Sequence, residues 1–271
     1  MHRRLAAFPL ALGAVLVAGC GSSSTAATPS QAVAATSAKT SASNAKVTLT
    51  GSVAVAGRGL PINGVGAFDF AQHRGTVNLS AGRGGAIENR IIGSVIYQRL
   101  PARLTARTGG KQWLKIDLND AANARGGSGQ LGSLSQSSDP TQVLKYLRGA
   151  GGPVTTVGTE DVRGTKTTHY RTQVDLQKAV QQGAFAKGAV DTFTKQFGAS
   201  TFPVDVWIDG HGRAARTRYS LKPLSGVGSF TFTQELYDFG KANVGVVPAP
   251  PADQTADISQ LAQAAAGTRG G

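Results

Sequence analysis

Apolar and polar residues alternate along much of the first half of the chain. In the segment Val47–Val55, every second residue is apolar and the residues between are small or polar. This period of two is typical of a strand with one covered face. Gln72–Arg74 suits a hairpin turn between two such runs. Four further segments with this strand pattern are 65–71, 75–81, 87–100 and 112–118.

Two segments in the middle of the chain have a helical pattern instead. The first follows Asp139, a good N-cap residue, and Pro140, which suits the first helical position, and Gly149 ends it. The second runs from Asp175 to about Gly198, with apolar residues at three- and four-residue steps. Glycines at both ends of residues 183–188 predict a break within this second helix.

The rest of the chain returns to strands. A hairpin is predicted at Arg163-Gly164, and Gly210-His211-Gly212 joins a later pair. The later strand segments are 154–162, 165–175, 202–209, 213–221 and 229–239. The sequence therefore predicts an α+β domain in which about ten antiparallel strands form a curved sheet with two or three inserted helices.

The final strands have one apolar and one polar face. Asp205, Arg216 and Glu235 are on the polar parity. The candidate cavity-lining residues on the apolar parity are Val204, Val206, Tyr219, Leu221, Phe230, Phe232 and Leu236. The helices either fill this apolar face, which gives a plain core, or roof it and leave a cavity. The pattern alone leaves both arrangements open, and a plain core is the commoner one.

The N-terminus has the layout of a secretory signal. Arg3 and Arg4 precede about 15 apolar or small residues that end at Cys20, the single cysteine of the chain. This run is shorter than the roughly 20 residues that a membrane span needs. Val17-Ala18-Gly19-Cys20 resembles a bacterial lipobox, in which the cysteine is acylated. The alternative is an ordinary secreted protein with an incidental cysteine, which cannot form an internal disulfide.

Composition divides the chain into four parts. Residues 1–19 are predicted to be a lipoprotein signal peptide. Residues 20–45 contain Cys20 and a Ser/Thr/Ala-rich stretch that is predicted to be a flexible linker. Residues 46–246 are long enough for one domain with a sizeable core. Residues 247–271 are rich in Pro, Ala and Gly and are predicted to be a flexible tail.

The formal net charge of the chain is +13. The basic residues are scattered singly, without the basic helix or the interleaved aromatic side chains of nucleic-acid-binding proteins. A nucleic-acid partner is therefore not expected. The charge fits either a solvated basic surface or attraction to anionic lipid headgroups and envelope polymers.

The residues for a catalytic or metal site are not found together. None of the four histidines has a metal-ligand spacing to another His, Cys or carboxylate. The chain has no GxSxG motif, and an acylated Cys20 cannot act as a nucleophile. We therefore predict no catalytic residues, no metal and no cofactor, and we expect His169 to be a structural or surface residue.

Four stretches resemble, in order, the actinobacterial lipoproteins of the LppX/LprG type. They are QWLKID from Gln112, DPTQVLKYLRGAGG from Asp139, VGTEDVRGTKTTHYRTQVDL from Val157 and PVDVWIDGHGRAARTRYSL from Pro203. This family is similar in fold to the LolA and LolB carriers, which have a half-barrel sheet with helices over a hydrophobic cavity. The resemblance implies such a cavity here.

The resemblance also implies a function. The characterised members of the LppX/LprG-type family bind acylated lipids or glycolipids and assist their movement across the envelope. It therefore implies a non-enzymatic carrier on the outer face of the cell membrane, anchored through Cys20, with an acylated lipid or glycolipid as ligand. A membrane lipid exporter is a further candidate partner. The alternative is an envelope accessory lipoprotein that binds a protein or polymer through its basic surface and holds no lipid.

Several residues match motif positions of the family. We expect them to define the fold rather than to bind a ligand, since Trp207 lies on the parity opposite the presumed cavity. The matching residues are Trp113, Thr168, His169, Tyr170, Arg171, Trp207, Asp209 and Gly212.

Overall fold

In a computed structural model, the described residues are 27–55, 58–81, 85–118, 139–184, 187–224 and 229–261. The predicted signal peptide and Cys20 lie outside this part of the chain, so both remain predictions. The described strands are β1 (Asn44–Val55), β2 (Arg58–Asp69), β3 (Arg74–Ala81), β4 (Ala86–Ile92), β5 (Val95–Arg99), β6 (Trp113–Asp117), β7 (Thr155–Val162), β8 (Thr165–Asp175), β9 (Thr201–Asp209), β10 (Ala214–Leu221), β11 (Phe230–Tyr237) and β12 (Thr255–Asp257).

The described strands form one sheet in the order β12-β6-β5-β4-β3-β2-β1-β11-β10-β9-β8-β7. Neighbours are antiparallel except for β12 and β6, which are parallel. The sheet is curved. It is unclosed because its edge strands β12 and β7 do not pair with each other. The predicted α+β class with a curved antiparallel sheet is therefore confirmed in outline.

The sheet has 12 described strands rather than about ten. One additional strand arises because the predicted strand 87–100 is divided. Gly93 has a φ of 60°, a left-handed conformation that turns the chain between β4 and β5. The other additional strand is β12, which lies in the predicted tail.

The prediction of a flexible tail over 247–271 is wrong for its first part. Thr255–Asp257 pairs with β6, and Ala256 is buried. Before this strand, the Arg90 guanidinium donates to the Pro248 carbonyl oxygen at 3.2 Å. The segment is ordered because it satisfies backbone groups of β6 that an edge strand would leave unpaired.

The described helices are α1 (Pro29–Ser41), α2 (Ala102–Thr105), α3 (Thr141–Arg148), α4 (Leu176–Gln181) and α5 (Lys187–Phe197). The two predicted helical segments correspond to α3 and to the pair α4 and α5. Asp175 caps α4 by accepting a hydrogen bond from the Gln177 backbone N–H at 2.8 Å. The predicted break lies between α4 and α5, where Gly183 has a φ of 69°.

Helix α1 corrects the prediction that residues 20–45 form a flexible linker. Thr28 and Gln31 form a capping box, and Pro29 occupies the first turn. Val33 and Thr40 are buried, and the Thr40 hydroxyl accepts a hydrogen bond from the Ala214 backbone N–H at 2.9 Å. The ordered domain therefore begins before Lys46. The small side chains of this helix let it pack closely on the sheet and on α3.

The turn between β9 and β10 is held by a buried carboxylate. Asp209 accepts hydrogen bonds from the backbone N–H groups of His211 and Arg213 at 2.9 and 2.8 Å. It also forms an ion pair with the Arg213 guanidinium at 2.7 Å. Gly212, with a φ of 78°, closes this turn. The expectation that Asp209 and Gly212 define the fold agrees with this arrangement.

We expect Asp209→Ala to lower the free energy of unfolding by about 2–3 kcal/mol, because two backbone donors and a guanidinium lose their acceptor. Asp209→Asn keeps one acceptor oxygen and should lose less. Urea unfolding at pH 7 measures both changes. Equal stability of Asp209→Ala and the parent protein would contradict this role of the carboxylate.

Candidate functional site

The seven predicted cavity residues lie on one face of the sheet, which we call the apolar face. Six are buried and Phe230 is partly buried, and all seven belong to the main hydrophobic cluster. The rings of Tyr219 and Phe232 are 5.5 Å apart, and those of Tyr219 and Phe230 are 6.1 Å apart. The apolar face continues across the other half of the sheet through Val47, Leu49, Phe68, Val77, Ile91 and Ile96.

An aromatic layer connects this face to the helices; it consists of Tyr146, Phe193, Phe197, Phe202 and Tyr219. The Tyr146 ring on α3 lies 5.3 Å from Phe202 and 5.6 Å from Tyr219. Phe193 on α5 lies 5.6 Å from Phe202 and 4.5 Å from Phe197. Edge-to-face and tilted rings at these distances attract each other beyond the area they bury. Helices α3 and α5 therefore rest on aromatic rings of the sheet.

Apart from Tyr219, the residues of the aromatic layer were not among the predicted site residues. Phe202 shares the parity of Val204 and could have been found from the strand pattern. Phe193 and Phe197 are four residues apart on one helix, which places them on the same side. What the sequence could not give is the position of α5 over β9.

Burial also fixes the ionisation of the two tyrosines. Burial raises the pKa of Tyr219 well above 10.0, and the nearby Tyr146 raises it further. Burial raises the pKa of Tyr146 as well, although a hydrogen bond with Gln142 partly opposes this. Both phenols are therefore neutral at physiological pH, and the layer has no charge.

The apolar face becomes more exposed towards one end of the sheet. Leu49 in the middle of β1 is fully buried, whereas Leu60 on β2 is 47% exposed. Leu60 and Phe230 both pair in register with Val53, so they flank β1 at this end. Leu224, which follows β10, is 68% exposed, and its backbone N–H donates to the Gln196 carbonyl oxygen of α5. We call the region of Leu60, Phe230 and Leu224 the open end.

Two pockets are lined by the described residues, and neither contains the predicted cavity residues. One, of 340 Å³, lies between α1, α3 and the end of α4 and includes Ser37 and Arg148. The other, of 460 Å³, lies on the opposite side of the sheet. The predicted cavity residues instead pack against one another and against the helices. An acyl chain could reach the six buried ones only if α3 or α5 moved away from the sheet.

The opposite side of the sheet, which we call the outer face, has a polar network around Trp207. The His169 ring stacks on the Trp207 indole at 4.0 Å. The Arg216 guanidinium, from the neighbouring strand β10, lies 5.2 Å from the same indole. His169 Nδ1 lies 3.0 Å from Glu160, and Nε2 lies 2.9 Å from Asp205. Trp207 is therefore on the face opposite the apolar residues, as its parity predicted.

This geometry bears on the chemistry that His169 can perform. Both ring nitrogens face carboxylates, so the ring has no free nitrogen for a substrate or a metal. Among the described residues, no group of three or more His, Cys, Asp and Glu side chains could hold a metal ion. The arrangement matches the expectation that His169 is structural.

Glu235 joins two strands and a turn on the outer face. Its carboxylate accepts from the Arg163 and Arg216 side chains at 2.7 and 2.6 Å. Burial by itself would raise the pKa of Glu235, but hydrogen bonds and charges of Arg216 and Arg163 lower it below 4.5. The folded protein therefore favours the ionised form of Glu235.

We expect Glu235→Gln to lower the free energy of unfolding at pH 7 by roughly 1–2 kcal/mol, since two charge-assisted hydrogen bonds become weaker. Because the folded-state pKa is the lower one, this stabilisation is present above pH 4.5 and disappears as the pH falls through the folded-state pKa. Chemical unfolding of both proteins between pH 3 and 7 tests this. A constant difference across that range would contradict it.

None of the described helices is both long enough and apolar enough to cross a membrane.

No family model matches the chain. The chain is 31% identical to an uncharacterized Streptomyces griseus protein from the rplA–rplJ intergenic region. The aligned 199 residues make up 70% of this chain and 62% of that protein. A predicted lipoprotein of Streptomyces coelicolor is 27% identical over 177 residues, 65% of this chain and 53% of the relative. The chain thus spans less than two thirds of the length of these relatives.

Among solved structures, the chain is similar to the lipoprotein LppX of Mycobacterium tuberculosis. The TM-score is 0.42 with 16% identity, over 79% of this chain and 98% of LppX. LprF of Mycobacterium bovis has a TM-score of 0.42 and 13% identity, over 83% of this chain and 97% of LprF.

Proposed function

We propose that this protein is an exported lipoprotein that binds the acyl chains of a lipid or glycolipid on its apolar face and carries or presents that lipid in the cell envelope. The observation that carries the proposal is the gradient of exposure along the apolar face. A fully structural core would be closed at both ends, whereas here Leu60 on β2 and Leu224 after β10 expose large apolar side chains at the end of the face where Phe230 lies.

Binding would begin at the open end and proceed beneath the helices. An acyl chain that contacts Leu60 and Phe230 can extend along the face by replacing contacts between the aromatic rings of α5 and those of the sheet. At about 0.8 kcal/mol per buried methylene, a sixteen-carbon chain gains roughly 10 kcal/mol gross. That gain is large enough to offset the loss of several aromatic contacts of about 0.5–1.5 kcal/mol each. No catalytic group is required.

The proposed membrane anchor would hold the domain close to the bilayer. If Cys20 is acylated, only residues 21–28 separate the anchor from α1, which begins at Pro29. Eight residues span at most roughly 28 Å when fully extended. The open end would then be able to meet lipids near the outer face of the membrane, or a lipid exporter within it.

Binding of a fluorescent fatty acid tests this function. The chain from Gly21 onward keeps all described elements and lacks Cys20. We expect saturable, stoichiometric binding with the same affinity in 0.1 and 1 M NaCl, because apolar contacts are not screened by salt. Binding that disappears at high salt would indicate attraction to the basic surface instead. Absence of binding at both salt concentrations would contradict the proposal.

A further inference from the structure

We infer that the 460 Å³ pocket on the outer face is a binding site for an oxyanion of the phosphate class. This pocket lies on the side of the sheet opposite the proposed lipid site, so the inference does not depend on lipid binding. We call it the outer-face pocket. Its lining includes Arg171 and Arg218, Asp205 between them, and the carboxylates of Glu160 and Glu235.

The carboxylates of the outer-face pocket are already engaged. Asp205 Oδ1 lies within hydrogen-bond distance of both His169 Nε2 and Arg171 Nε, at 2.9 Å each. Both oxygens of Glu235 accept from arginines. Glu160 faces His169 Nδ1 at 3.0 Å. The pocket therefore offers a ligand few strong acceptors, and a cationic ligand would have to compete with existing partners.

Its donors, by contrast, are in surplus. Arg218 is exposed and has no hydrogen-bond or ion-pair partner among the described residues. Arg171 uses only its Nε, so its two terminal nitrogens remain available. Trp207 is 5% exposed, and its indole N–H has no acceptor among the described residues. The indole N–H is itself buried, so a ligand that supplies acceptor oxygens would satisfy Arg218 and the terminal nitrogens of Arg171.

The strand register places the two available guanidinium groups on either side of one position. Arg171 on β8 and Arg218 on β10 both pair with Asp205 on the central strand β9. Asp205 thus lies between these two guanidinium groups. The three carboxylates of the pocket are balanced by Arg171, Arg216 and Arg218, and Arg163 is a further partner of Glu235. Guanidinium groups bind phosphate oxygens in a bidentate geometry. The net charge of +13 favours the approach of an anion to the protein as a whole.

Calorimetric titration of the chain from Gly21 with inorganic phosphate at low salt tests the site. We expect saturable binding, and Arg218→Gln should weaken it at least about tenfold, because charge-assisted hydrogen bonds are lost. Arg218 holds no other described side chain, so this variant should fold normally. Arg103→Gln on α2 removes the same charge from another exposed position and is expected to change the affinity less than twofold.

Two sources of the phosphate group can be separated with vesicles. If the ligand is a lipid headgroup, Arg218→Gln should also weaken sedimentation with phosphatidylglycerol vesicles relative to Arg103→Gln. If it is a soluble phosphate ester, only phosphate binding should differ between the two variants. Absence of phosphate binding by the parent protein, or equal binding by both variants, would overturn the inference. Neither result depends on fatty acid binding.

Discussion

A chain that begins at Ser43, without helix α1, is expected to lose at least about 4 kcal/mol of folding free energy. Val33 is almost completely buried in the main cluster, and burial of such a side chain contributes about 1.5–3 kcal/mol. Removal of Thr40 leaves the buried Ala214 N–H without its acceptor, which costs a further 1–3 kcal/mol or so. Contacts between α1 and α3 are lost in addition.

Urea unfolding followed by circular dichroism measures this loss, with the chain from Gly21 as the reference. Thr40→Val keeps the volume and removes the hydroxyl, which accepts from the Ala214 N–H and also donates to the Thr36 carbonyl oxygen at 2.7 Å. It should lose about 1–3 kcal/mol alone. Identical unfolding midpoints for the shortened chain and the reference would show that α1 is an independent linker after all.

The second large effect concerns ligand binding. We expect Leu60→Asp to weaken binding of the fluorescent fatty acid by about 100-fold or more, because a carboxylate at the open end must be desolvated when an acyl chain packs against it. Leu60 is 47% exposed in the free protein, so the new charge can remain hydrated there and the fold should persist. Circular dichroism of the variant checks this.

Val65→Asp is the matched control. Val65 lies on the same strand β2 and is 57% exposed, but it is on the outer face, where it pairs in register with Thr48. The two variants introduce the same charge five residues apart. Unchanged fatty acid affinity in Val65→Asp, with the loss confined to Leu60→Asp, is the expected result. Equal losses in both variants would argue against the open end as the entry to the apolar face.

Strand and helix patterns predicted most of the sheet, because each final strand has one apolar and one polar parity. Val204, Val206 and Phe232 are buried on the same face, as their spacing required. The helix after Asp139 and the break before α5 were also predictable, since Pro and Gly have strong local preferences.

The ends of the domain were less predictable, since composition is a poor guide to a segment that is ordered by tertiary contacts. Helix α1 has almost no large apolar residues, yet the buried Val33 and the Thr40–Ala214 hydrogen bond fix it to the domain. Strand β12 has only three residues and forms because β6 offers a free edge.

The candidate site was predictable only in part. Parity identified the apolar strand residues, but the gradient of exposure between Leu49 and Leu60 depends on where the helices lie. The outer-face pocket combines residues of five strands, from Glu160 on β7 to Glu235 on β11. Its excess of donors depends on which arginine contacts which carboxylate, and a single sequence does not contain this information.

Mass spectrometry of organic extracts is the most direct test of the central claim that the apolar face binds acyl chains. The chain from Gly21 onward would be purified at high salt from an actinobacterial host, with Leu60→Asp purified in parallel. We predict a diacyl or triacyl lipid in near-stoichiometric amount in the parent extract and little in the variant extract. Parent extracts that repeatedly contain no lipid, together with no binding of added fatty acid, would contradict the carrier function.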